Sequence, residues 1–190
     1  MKKKMLVLIP MVFLLVGCSW FKKTIDDYKE IYMNVLKGEL TFINEEKEEK
    51  YFKEYTDNGY KISRIAMLDL ESDEVYEMAV ELKKPSNSLS YLILSRQGGK
   101  VYCYDLEDDK VDMIIDKGYF FYTTNDGSGI KTYNFKKNKI ESTILYEINI
   151  EKQECIIDKK KASCDDFSDA TYDFSQKMGK ELDWEKYSAW

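Results

Sequence analysis

Tyr91-Leu92-Ile93-Leu94-Ser95-Arg96-Gln97-Gly98-Gly99-Lys100-Val101-Tyr102-Cys103-Tyr104-Asp105 is the stretch that sets the fold class. Two short runs rich in aliphatic, β-branched and aromatic residues flank a Gln-Gly-Gly breaker. Such runs favour extended backbone because their side chains fit a pleated, half-covered surface. A connection this short returns the chain beside itself, so strands over 91–95 and 100–105 are expected as antiparallel neighbours.

The same pattern extends in both directions. Strands are expected over 62–68, 75–83, 111–115, 119–124, 130–135 and 141–150, separated by Pro85-Ser86-Asn87-Ser88, Glu107-Asp108-Asp109 and Asn125-Asp126-Gly127. Upstream of Lys61 the period is helical. Ile25, Tyr28, Ile31, Tyr32 and Val35 recur at helix spacing, Thr24 and Asp27 form a capping-box start, and Gly38 can end the helix in a left-handed conformation. A second helix is expected over 42–55. Phe42, Tyr51, Phe52 and Tyr55 would form its buried side, Glu45 to Lys50 its solvated face, and Asp57-Asn58-Gly59 its closing turn. Ser163 and Asp166 open a final helix to about Lys177, before a tail with Trp184 and Trp190. The expected fold is α+β: an antiparallel β-meander sheet of about seven or eight strands, with N-terminal helices and a C-terminal helix packed on one face.

The amino terminus carries an address. Lys2-Lys3-Lys4 precedes an apolar stretch from Met5 to Val16, too short for a bilayer span of about 20 residues. Leu15-Val16-Gly17-Cys18 resembles a lipobox. That resemblance implies lipid on the Cys18 sulfur, cleavage before it, and acylation of the new amino terminus. Residues 1–17 are then a signal peptide, 18–23 a lipidated tether, and 24–190 one extracytoplasmic domain at the cell membrane.

Charge and composition exclude several functions. The formal charge of −6 falls to about −9 once the signal is removed, because that segment holds three of the 29 basic residues and none of the 35 acidic ones. An acidic chain of this kind does not suit a nucleic-acid binder. Histidine is absent, which removes Ser-His-Asp and Cys-His machinery and every His-ligated metal site. Only Arg64 and Arg96 are arginine, and Lys, Ile, Asn and Tyr are plentiful, as in AT-biased coding.

Three stretches carry a family resemblance: Ile65-Ala66-Met67-Leu68-Asp69-Leu70-Glu71-Ser72-Asp73-Glu74-Val75-Tyr76-Glu77, Gly118-Tyr119-Phe120-Phe121-Tyr122, and Ile157-Asp158-Lys159-Lys160-Lys161-Ala162-Ser163. Together they resemble a widespread group of uncharacterised lipoproteins of gut Firmicutes. In that group a helical amino-terminal part precedes an Asp-x-Asp-x-Asp-type segment, a β-meander and a short helix. The resemblance implies fold and location, and carries no activity.

Asp69, Glu71, Asp73 and Glu77 occupy positions 1, 3, 5 and 9 of a possible Ca²⁺ loop, a pattern suited to a hard cation that takes six to eight oxygens. Position 6 is Glu74 instead of glycine, and position 12 is Val80 instead of a bidentate Glu. The competing reading is an acidic solvated turn between two strands. Cys155 and Cys164 form a candidate disulfide. If Lys159-Lys160 is a hairpin tip, residue 155 pairs with 164, although the tip lacks the expected Gly or Asn. Cys103, between Tyr102 and Tyr104, reads as a half-buried thiol. Tyr102, Tyr104, Tyr119, Tyr122 and Tyr133 are either a sugar-stacking platform or cross-strand packing. Asn125-Asp126-Gly127-Ser128-Gly129 reads as a β-turn, since a phosphate loop needs a following helix and a Lys-Ser/Thr pair.

The sequence therefore points to a lipid-anchored cell-surface lipoprotein, a non-catalytic accessory module that binds an extracellular ligand or protein partner. One alternative is a carboxylate-dependent extracellular hydrolase. Another is an immunity lipoprotein that sequesters a toxin or bacteriocin.

Overall fold

The computed structural model describes residues 23–84, 86, 89–106, 111–115, 117–137, 139–177 and 179–188. The signal peptide, Cys18, most of the tether, the turn at 107–109, most of the turn at 85–88, and Trp190 lie outside the described residues.

Helix α1 (Ile25–Leu36) begins where its capping residues demand. Asp27 N–H donates to Thr24 Oγ1 at 3.3 Å, and Thr24 N–H donates to Asp27 Oδ2 at 2.7 Å, which satisfies two otherwise orphaned amides. Tyr28, Tyr32, Val35 and Leu36 form its buried stripe. Gly38 leaves the helix at φ +77°, a conformation that penalises any Cβ.

The helix expected over 42–55 does not form. Its place is taken by a small hairpin of β1 (Phe42–Ile43) and β2 (Glu49–Lys50), followed by the short helix α2 (Lys53–Asp57). The physical reason lies in the apolar spacing. Between Ile43 and Tyr51 there is no apolar residue to continue a helical stripe. Asn44 closes the turn instead, accepting from Glu48 N–H at 2.8 Å through its side chain and from Lys47 N–H at 3.1 Å through its carbonyl.

From Lys61 the chain meanders, and all eight expected strands are present. They divide into two sheets where one was expected. In the first, β3 (Lys61–Leu68), β4 (Glu77–Lys83), β5 (Leu89–Gln97) and β6 (Lys100–Asp105) are successive antiparallel neighbours. Its edges are extended by β1, which pairs with β6 in parallel with Ile43 opposite Tyr102, and by β13 (Glu185–Lys186) beside β3. The second sheet is a continuous antiparallel meander of β7 (Val111–Ile115), β8 (Tyr119–Thr123), β9 (Gly127–Lys136), β10 (Lys139–Asn149), β11 (Glu154–Ile157) and β12 (Lys160–Ala162).

Side-chain alternation explains the division. On β4 and β5, Met78, Val80, Leu82, Leu92 and Leu94 face α1 and join Tyr32 and Val35 in one core. Their neighbours Ala79 and Ile93 face the other way and join Tyr104 with Ile114, Phe120, Tyr133 and Phe135 of the second sheet. A strand that is apolar on both faces needs a cover on both. Each fully buried aliphatic or aromatic side chain contributes about 1.5–3 kcal/mol by leaving water, so neither face is tolerable uncovered. Helix α3 (Cys164–Ser175) lies on the outer face of the second sheet, where the Phe174 ring sits 4.8 Å from Tyr119 and 5.0 Å from Tyr146. The layers thus run helix, sheet, sheet, helix, and the two terminal helices cover different sheets rather than one face.

Candidate functional site

One end of the gap between the sheets opens into a cleft of about 560 Å³. Leu70, Val75 and Phe135 give it an apolar wall, and Glu77, Ser95 and Gln97 give it polar groups. Lys136 and Lys137, at the end of β9, stand on its lining with Asp73 and Glu71. A wider groove of about 830 Å³ beside the end of α1 is lined by Lys37, Glu39, Tyr60 and Tyr187, and holds no buried charged group among the described residues.

Glu77 is the distinctive member. It opens β4 on the same face as Ala79, so strand alternation turns its side chain inward, where it is only 6% exposed. Leu70 N–H donates to Oε2 at 3.2 Å, and the Ser95 hydroxyl donates to Oε1 at 3.2 Å. Burial raises its pKa from the ordinary carboxylate value to about 7. The two hydrogen bonds oppose that rise, while the nearby Asp73 and Asp69 charges add to it. Beside it, Gln97 ties the two sheets together: its Nε2 donates to the Phe135 carbonyl at 2.9 Å, and its Oε1 accepts from Lys137 N–H at 2.6 Å.

A second inward carboxylate, Glu81, has a different environment further along the same face of β4. It is 3% exposed, and its Oε2 accepts from Arg64 Nε at 2.8 Å and from Tyr91 Oη at 3.3 Å. Arg64 in turn lies 4.6 Å over the Trp184 ring. Glu81 is thus committed to an ion pair, whereas among the described residues Glu77 has no cation as a hydrogen-bond partner.

The sequence-derived sites fare differently. Glu71, Asp73 and Glu77 line the same cleft, but with Asp69 they do not surround one point as cation ligands would. Asp69 accepts from Asp73 N–H and Glu74 N–H, each at 3.1 Å, and Asp73 accepts from Val75 N–H at 2.9 Å. Glu71 is exposed and Glu77 turns into the cleft. Among the described residues no group of three or more His, Cys, Asp or Glu side chains is arranged to hold a metal ion. The carboxylates brace a tight turn in which Ser72 and Glu74 adopt left-handed φ of +54° and +64°, work that glycine would otherwise do.

The tyrosines form no exposed platform. Tyr102, Tyr104, Tyr122 and Tyr133 are buried, and Tyr119 packs edge-on against Phe174. Cys103 is buried outright rather than half-buried, and burial pushes its thiol well above the ordinary range. Gly127 and Gly129 fall inside β9 with no helix following, so the turn between β8 and β9 is not a phosphate cradle. Cys155 and Cys164 do meet, Sγ to Sγ at 3.1 Å, through a different register from the one expected.

Ser95, Gln97 and the cleft itself went unread in the sequence. One signal was available: Glu77 and Glu81 alternate with Met78, Val80 and Leu82 inside a strand bounded by the exposed Lys83, which places two carboxylates on an inward face. No helix among the described residues is long and apolar enough to cross a membrane. No protein-family model matches the chain, nor does any curated protein or solved structure.

Proposed function

We propose that the chain is a lipid-anchored, extracytoplasmic binding module that takes a ligand, or a projecting group of a partner protein, in the cleft at Glu77. The buried carboxyl carries this reading, because an acidic group bonded among the described residues by the neutral Leu70 N–H and Ser95 hydroxyl, at the base of a partly apolar cleft, suits a ligand that brings charge or further hydrogen bonds. The lipobox-like Leu15-Val16-Gly17-Cys18 supports the location. Five residues lie between Cys18 and Thr24, so the tether reaches at most about 20 Å and keeps the domain close to the bilayer. Replacing Cys18 by Ala should move the protein from the membrane fraction to the medium; a mutant that stays with the membrane overturns the anchor. For the cleft, a small-molecule library is screened by melting temperature against wild type and Glu77→Gln. A hit that stabilises wild type alone supports the site, and hits that stabilise both equally argue against it.

The second reading, a carboxylate-dependent hydrolase, draws on the same group: a carboxyl titrating near pH 7 suits a general acid. Turnover of glycoside or ester reporter substrates that disappears in Glu77→Gln would favour it over simple binding.

A further inference from the structure

The geometry points to Cys155 and Cys164 as an oxidisable thiol pair that locks the start of α3 onto the second sheet by accepting a disulfide from an exchange partner. The pairing arises from the register of the β11–β12 hairpin. Asp158 and Lys159 adopt left-handed φ of +46° and +66°, so they form the two-residue tip, and Cys155 stands opposite Ala162. Ser163 then leaves the strand and caps α3, its Oγ accepting from Asp166 N–H at 3.1 Å. That turn folds Cys164, the first helical residue, back over the sheet until its sulfur lies 3.1 Å from that of Cys155.

The two thiols are not equivalent. Cys164 is exposed at the first residue of a twelve-residue helix, where a disulfide in solution can reach its sulfur. Cys155 is 2% exposed, and its contact with the Cys164 sulfur keeps it protonated. Access therefore makes Cys164 the attacking group and Cys155 the resolving one. The Cys164 thiolate attacks a disulfide of the form R–S–S–R, forming a mixed disulfide and expelling one RS⁻. Cys155 then gives its proton to solvent and attacks the Cys164 sulfur, expelling the second RS⁻. Two thiol protons end on two RSH, the pair loses two electrons, and the oxidant gains them. The third described cysteine, Cys103, belongs to the core between α1 and the first sheet and takes no part. The inference is independent of the cleft, and uses the extracytoplasmic location only as the place where such an oxidant is met.

The test uses purified full-length protein and oxidised glutathione. After incubation, unfolding and alkylation, peptide mapping should show residues 155 and 164 cross-linked and Cys103 alkylated. Cys155→Ser should accumulate a glutathione adduct on Cys164, whereas Cys164→Ser should leave Cys155 unmodified in the folded protein. The oxidised form should melt roughly 5 to 10 °C above the reduced one. Full alkylation of both cysteines after oxidant, or cross-links that involve Cys103, overturns the pair. Adduct formation on Cys155 with equal speed reverses the assigned order, and an unchanged melting temperature removes the locking role.

Discussion

Gln97 and Phe135 are joined across the two sheets: the Gln97 amide donates to the Phe135 carbonyl at 2.9 Å while its oxygen accepts from Lys137 N–H at 2.6 Å. One side chain therefore satisfies a donor and an acceptor of the neighbouring sheet at the wall of the cleft. Removing it leaves both backbone groups to find water. Gln97→Ala should cost about 1–3 kcal/mol in urea denaturation, the usual penalty for stranding partly buried polar groups. Gln97→Glu is the sharper probe, because it keeps the shape and loses the donor to Phe135. A wild-type unfolding midpoint in both variants would show that the sheets are aligned by apolar packing alone.

Glu77 makes stability depend on pH with a sign opposite to that of most carboxylates. Its folded pKa, about 7, lies above the ordinary 4.5, so between those values the folded state holds a proton that the unfolded state has released. Its contribution is complete below about pH 4.5 and is lost as pH rises towards 7, by about 3 kcal/mol in all. Glu77→Gln removes the effect. Wild type should therefore lose stability relative to the mutant from pH 5 to pH 8, read as diverging melting temperatures. Parallel curves would mean that Glu77 titrates like a surface carboxylate.

The Arg64–Glu81 pair predicts an asymmetry. Arg64→Met leaves a carboxylate that is 3% exposed without its cation, whereas Glu81→Leu leaves an arginine already over one-third exposed that can turn to solvent. Loss of the arginine should cost about 2 kcal/mol or more, and loss of the glutamate less. The double mutant should recover part of the arginine's cost, because an apolar pair no longer strands a charge. Equal single-mutant costs with simple additivity would rule out the buried-charge account.

How far the sequence disclosed this depends on whether a signal was local. The capping box at Thr24, the simpler cap at Ser163 and the breakers around each strand act over a few residues, and those elements stand where they were expected. Met78-Ala79-Val80 and Leu92-Ile93-Leu94 are apolar on both faces and contain the second sheet implicitly, but which strands supply the cover is set by contacts distant in sequence. The helix expected over 42–55 is absent because Phe42 and the aromatic group Tyr51, Phe52 and Tyr55 are separated by a wholly polar run from Asn44 to Lys50, so no apolar stripe connects them. In the β11–β12 hairpin the tip moved by one residue, since Asp158 and Lys159 tolerate left-handed backbone despite lacking glycine. The cleft joins β4, β5 and the end of β9, so no single stretch of sequence spells it.

The glycines after Asn125-Asp126 provide the last test, since a phosphate loop and a packing role demand different outcomes. A Cβ on Gly127 would lie 1.8 Å from the Ile148 carbonyl oxygen, and one on Gly129 would lie 2.5 Å from the Tyr146 oxygen and 2.6 Å from Tyr122 Oη. Tyr122 Oη bonds the Glu147 carboxylate, and Lys131 Nζ stands 4.5 Å over the Tyr122 ring, so displacing that ring disturbs a buried polar cluster. Gly98, by contrast, has nothing within 4 Å of its missing Cβ and is constrained only by φ of +58°. Gly98→Ala should then cost about 1 kcal/mol through backbone strain. Gly129→Ala should cost about 1–3 kcal/mol through overpacking. Gly127→Ala should cost most, because its Cβ would meet the Ile148 backbone oxygen at 1.8 Å, deeper than the 2.5 Å approach at Gly129. Denaturation midpoints in that order identify the glycines as sites of close β9–β10 approach; a stable Gly127→Ala would show instead that the strands can part there without loss.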